Sequence, residues 1–68
     1  MTYTVVYFKP FGPEEILIRT DVLDHAKIIF HNYVEDYPRV AQYVHIFFED
    51  DDITEEIKRT LVPRRHLI

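Results

Sequence analysis

Residues 21–37 read DVLDHAKIIFHNYVEDY. Within them Val22, Leu23, Ala26, Ile29, Phe30, Tyr33, Val34 and Tyr37 recur three and four positions apart, the spacing that places side chains on one face of an α-helix. No other segment carries such a stripe over several turns. Thr20 or Asp21 is the expected N-cap, and Asp21 and Asp24 put carboxylates in the first turn, where the helix dipole favours negative charge. Pro38 stops the helix, and the residue before a proline avoids helical angles, so the end falls at Asp36 or Tyr37.

The segments flanking this helix are strand-like. Thr2–Lys9 (TYTVVYFK) and Glu15–Thr20 (EILIRT) are dense in β-branched and aromatic residues. Between them, Pro10-Phe11-Gly12-Pro13 holds two prolines and the only glycine of the chain, which predicts a β-hairpin with a loop of about five residues. With Lys9 opposite Glu15, Val6 lies near Ile18 and Thr4 near Thr20. The helix then covers Val6, Phe8, Ile16 and Ile18, while Tyr3, Val5, Tyr7, Leu17 and Arg19 take the other face.

Val40–Glu49 (VAQYVHIFFE) predicts the longest strand, with Val44, Ile46 and Phe48 on one face and Tyr43, His45 and Phe47 on the other. Ile53–Val62 (ITEEIKRTLV) fits two readings. As a helix it sets Ile53, Ile57 and Leu61 on one face, with Asp52 and Glu55 spaced as a capping box. As a strand, the favoured reading, it closes a second hairpin through the acidic turn Asp50-Asp51-Asp52. The expected fold class is α+β: a small antiparallel sheet of order β-β-α-β with a fourth strand or short C-terminal helix, and one amphipathic helix packed on one face. Residues 1–62 form the expected compact domain, and 63–68 a C-terminal tail whose Leu67 and Ile68 are available to a partner.

A domain of 68 residues buries only about 60% of the surface its unfolded chain exposes, so it commonly draws on outside help. Cysteine is absent, which removes disulfides and thiolate metal sites and leaves association. Hydrophobic residues at 47% and aromatics at 15% are too rich for a disordered chain. MTYTVVYFKP shows no basic region ahead of an apolar run, and no window approaches the roughly 20 apolar residues of a membrane span. The expectation is a cytoplasmic protein with no membrane partner. A net charge of -4 disfavours a general hold on nucleic acid; Arg64 and Arg65 beside His66 form the one basic patch.

No chemistry-bearing motif emerges. His25 and His31 are six apart, about 120° around a helix rather than stacked as metal ligands would be. Counted from Asp50, the sixth position of a calcium loop is Glu55 rather than glycine and the twelfth is Leu61 rather than glutamate. There is no serine or cysteine nucleophile, and one glycine cannot build a phosphate-cradling loop. Neither an enzyme nor a bound cofactor or metal is expected.

What remains is surface. One helix covers one sheet face, so the other presents Tyr3, Val5, Tyr7, Leu17, Tyr43, His45 and Phe47, a larger apolar patch than monomers usually expose. Ile28 stands opposite the helix stripe among Asp21, Asp24, His31, Asn32 and Glu35, and the acidic Asp50, Asp51 and Asp52 offer a rim for a basic partner. These are the interface candidates. They suit a small non-enzymatic interaction module, expected as a homodimer and as the binder of a heterologous protein. Small acidic inhibitors encoded by phages and small acidic antitoxins share this size and charge. The alternative is a single-stranded nucleic-acid module stacking bases on Tyr3, Tyr7, Tyr43 and Phe47 with help from Arg19, Arg64 and Arg65. Scarce basic residues make it the weaker reading.

Overall fold

The computed structural model describes residues 1–60. Strands β1 (Tyr3–Tyr7) and β2 (Glu15–Thr20) lead into helix α1 (Leu23–Asp36). A 3₁₀ turn (Pro38–Tyr43), strand β3 (Val44–Phe48), the two-residue strand β4 (Asp51–Asp52) and the short helix α2 (Thr54–Lys58) follow. The four strands make one antiparallel sheet in the order β2-β1-β3-β4, and α1 packs on one of its faces. The fold class is α+β, as the helix stripe and its flanking strands predict. The tail residues Pro63–Ile68, and Leu61 and Val62 before them, lie outside the described residues.

Helix α1 buries Ala26 and Phe30 and packs Leu23, Tyr33 and Val34 against the same core. Its start differs from expectation. Neither Thr20 nor Asp21 caps it; Val22, extended at φ -109° and ψ 112°, is the N-cap, and its carbonyl accepts from the amides of His25 and Ala26 at 3.1 and 3.2 Å. Thr20 acts one step earlier, its Oγ1 accepting from the Val22 amide at 3.1 Å. At the far end the Tyr37 amide donates to the Tyr33 carbonyl at 2.9 Å, and Pro38 begins the 3₁₀ turn. That turn replaces the first part of the expected strand over residues 40–49, because a proline-initiated turn keeps the chain coiled until Val44.

The hairpin register corrects the sequence reading most. Tyr3 pairs with Thr20 and Val5 with Ile18, but the next pair is Val6 with Ile16, so Leu17 is an extra residue in β2. This bulge lets Leu17 and Ile18 both pack on the core. On β1 it is Tyr3, Val5 and Tyr7 that face α1, the reverse of the expected assignment, since a one-residue slip moves every side chain to the other face. Val5 is 0% exposed. On β3 the expectation holds: Val44 and Ile46 are buried beneath the helix. Lys9 and Glu15 do meet, at 3.4 Å, across the loop that Gly12 turns at φ +99°.

The favoured strand over residues 53–62 gives way to the helical alternative. After a turn at Glu49 and Asp50, with Glu49 at φ 54°, only Asp51 and Asp52 pair with β3, and α2 starts at Thr54. The reason is the apolar spacing: Ile53 and Ile57 reach the core together only from a helix, and Ile57 joins Val5, Ala26, Phe30, Val44 and Ile46 in one buried cluster. Both helices therefore lie on the same side of the sheet. Phe30→Ala should cost about 3–5 kcal/mol in urea unfolding, a large share of what so small a domain holds, whereas Phe11→Ala on the exposed loop should change stability by no more than about 0.5 kcal/mol.

Candidate functional site

Cross-strand pairing sets the composition of the face turned away from α1. Arg19, Thr4, Phe47 and Asp52 are successive neighbours in one row across the sheet, and Ile16, Val6 and His45 in the next. Phe8, just past β1 and tied by its amide to the Tyr43 carbonyl at 2.8 Å, adds a ring that meets His45 and Phe47 edge-on at centroid distances of 5.4 and 6.1 Å. Neither helix nor strand covers this face among the described residues. Ile16 is 44% exposed, while Phe8, His45 and Phe47 are half-buried against one another.

Of the interface candidates, His45 and Phe47 stand on this face as expected. Tyr3, Val5 and Tyr7 do not: Tyr3 stacks on Phe48 at 4.9 Å, Tyr7 on Tyr33 at 5.9 Å, and Val5 is sealed in the core. Leu17 packs inward as the bulged residue, and Tyr43 closes the 3₁₀ turn half-buried. Phe8 and Ile16, assigned from the sequence to the covered face, take the vacated places, while Val6 shares their face but is buried, at 5% exposed. Ile28 is half-buried rather than exposed. Asp50, Asp51 and Asp52 are exposed, but Asp51 and Asp52 form a strand instead of an open turn.

Asp52 is the centre of a polar lock at the edge of the face. Its Oδ1 accepts from both the amide (2.9 Å) and the hydroxyl of Thr54, and its Oδ2 lies 2.9 Å from His45 Nδ1. Thr54, 4% exposed, in turn accepts at Oγ1 from the Ile46 amide at 3.0 Å. The amide and hydroxyl of the buried threonine are thus both used, and β3, β4 and the start of α2 are fixed to one another. Burial pushes the Asp52 carboxyl up, but the Thr54 hydroxyl and amide and the His45 ring together hold it below its usual value. A histidine oriented by a carboxylate is half of a nucleophile-activating pair. Here the one hydroxyl beside the ring, Thr54 at 3.3 Å, already donates to Asp52, so the arrangement is built for holding elements together.

Among the described residues, His25 and His31 assemble no site. His25 is exposed, and among the described residues no group of three or more His, Asp or Glu could hold a metal. His31 stacks edge-on to Phe30 at 5.3 Å with a buried Nε2 that has no hydrogen-bond partner among the described residues. Burial holds its pKa below the usual histidine value, Lys27 adds to the lowering, and the Ile57 backbone acts against them.

A second concave feature was not legible as a site. Tyr7, Tyr33, Asp36, Tyr37, Pro38, Arg39 and Val40 line a cleft of about 370 Å³ at the C-terminal end of α1. Tyr33 and Tyr37 read as core stripe in the sequence, yet Tyr37 is 55% exposed and its ring lies 4.8 Å from that of Tyr33. Their four-residue spacing immediately before Pro38 was the available signal.

No protein-family model, curated protein or solved structure matches this chain. Nor is any helix among the described residues long and apolar enough to cross a membrane.

Two acid transitions follow. His31 binds its proton more weakly folded than unfolded, so stability is full above its ordinary pKa near 6.5 and declines as pH falls through that value. Asp52 is depressed, so its contribution holds above the ordinary 3.8 and is lost as pH falls further. Thermal melts should show the upper step vanish in His31→Gln and the lower step in Asp52→Asn. Thr54→Val, which strands the Ile46 amide, should cost about 1–3 kcal/mol at neutral pH; unchanged stability would refute the lock.

Proposed function

We propose that this protein is a non-enzymatic protein-interaction module acting through the uncovered sheet face of Ile16, Phe8, His45 and Phe47, on which Val6 is itself buried. The observation that carries the reading is that face: one side of the sheet holds both helices, and the other offers a contiguous aromatic and aliphatic surface with a polar edge. Phenylalanine rings already held against one another lose little freedom on binding, which suits them as anchors.

A second copy is the partner this face fits. The row Arg19, Thr4, Phe47, Asp52 is basic at one end and acidic at the other. A two-fold axis along the strands lays the Arg19 end of one copy over the Asp52 end of the next and Phe47 near the centre, so the row is complementary to itself. A chain of 68 residues gains from such burial what its own core is too small to supply. As a mode of action this matches proteins that work by occupying a surface, from a chain whose expected site is cytoplasmic. The nucleic-acid alternative keeps Phe47 and Arg19 on the face but loses Tyr3 and Tyr7, which pack on the helix side.

Sedimentation across a dilution series tests the reading. The wild-type chain should associate, with added salt weakening the complex, and Phe47→Glu should raise the dissociation constant on the order of a hundredfold by burying an unpaired charge while retaining the far-ultraviolet circular dichroism of the fold. A wild-type chain that stays monomeric at every concentration, or a Phe47→Glu chain that associates as well as wild type, would sink it.

A further inference from the structure

The cleft at the end of α1 gathers three tyrosine rings. Tyr7, Tyr33 and Tyr37 stand in a bent row, the first pair 5.9 Å apart at 46° and the second 4.8 Å apart at 44°. A cation within about 6 Å of a tyrosine ring face is attracted by the ring quadrupole. Charge lines the cleft as well. Asp36 is in its wall, and Glu15, opposite Tyr7 in the sheet and paired with Lys9 at 3.4 Å, lies near the Tyr33 hydroxyl. The cleft sits at the C-terminus of a 14-residue helix whose last turn holds no basic residue, so the negative end of the helix dipole faces it, with Arg39 as the one cation among the described residues lining it. The Tyr33 hydroxyl is held above the ordinary tyrosine value, first by burial and then by Glu15 and the two neighbouring tyrosines. Arg39 also lines the cleft, without an ion pair among the described residues.

We infer that this cleft receives the ammonium head of a lysine side chain from a partner protein, with Tyr33 and Tyr37 supplying the ring faces and Asp36 the counter-charge. The site is separate from the sheet face of the preceding section: Tyr7, Tyr33 and Tyr37 lie on the helix side, so a variant at Phe47 leaves them in place. Arg39 competes with the incoming cation, which makes its removal a diagnostic. An anion would need that guanidinium; a cation is hindered by it.

The test is an NMR titration that follows the tyrosine ring resonances, with tetramethylammonium as the free cation and a short peptide carrying one lysine, unmodified or trimethylated, as the protein-borne one. Both peptides should shift the Tyr33 and Tyr37 rings while the Tyr3 ring, packed on Phe48 elsewhere on the sheet, stays still. Tyr37→Ala should weaken peptide binding about tenfold and Tyr37→Phe should preserve it, since the ring face and not the hydroxyl makes the contact. Asp36→Asn should weaken binding and Arg39→Ala should tighten it. The inference is overturned if neither peptide shifts these rings more than Tyr3, if tetramethylammonium binds and the peptides do not, or if Arg39→Ala abolishes binding and acetate competes. Tyr37 is exposed, so its loss leaves the fold intact; a matching circular dichroism spectrum verifies this.

Discussion

The pairing of β1 governs this molecule. Its unbroken register with β3 sets Val5 beside Ile46 under α1 and turns Val6 and, past the strand end, Phe8 away, while the bulge at Leu17 lets β2 follow with Ile18 inside and Ile16 outside. A regular hairpin with Lys9 opposite Glu15 gives the reverse, with Val6 and Phe8 in the core and Val5 outside. Both versions bury a valine, so the difference lies in its neighbours: with Val5 inside beside Phe30 and Ile46, Tyr3 and Tyr7 share its face and pack on Phe48 and Tyr33. The face left outward then combines Phe8, His45 and Phe47, which the unbroken register of β1 with β3 places side by side.

The edge of the sheet is fixed by a different force. β4 is only two residues long and exposed, too little to hold β3 by pairing alone. Asp52 compensates by bonding Thr54 and His45 at once, and the buried Thr54 hydroxyl hands the connection to the Ile46 amide in the centre of the sheet. Ile57 then seats α2 in the core. A polar cluster next to a hydrophobic cluster thus does together what a longer strand would do alone, and it keeps α2 on the helix side so that the other face stays clear.

The sequence made α1 legible because its stripe spans several turns and Pro38 marks its end. It made the bounds of β2 legible residue for residue, and the faces of β3, because His45 between Val44 and Ile46 marks the outward side. Register in the hairpin was not legible: both faces of β1 are apolar, so hydrophobicity carries no information about which side is in, and nothing in EILIRT announces a bulge. The short helix α2 competes with a strand in any local reading, since five residues provide too few turns to separate the periods. The same limits apply to the sites. His45 and Phe47 follow from β3 alone, while the outward place of Phe8 and the cleft between Tyr7 and Tyr33 depend on how separate elements meet, which no local pattern encodes.

Because each surface assigned above depends on the hairpin register, the most direct measurement is a nuclear Overhauser spectrum of the chain with labelled valine methyls and phenylalanine rings. The account predicts strong contacts from Val5 methyls to the Phe30 ring, and from Val6 methyls to none of the α1 side chains. Contacts from Val6 to Phe30 with Val5 silent would mean that the regular register is the true one, and would return Tyr3 and Tyr7 to the open face.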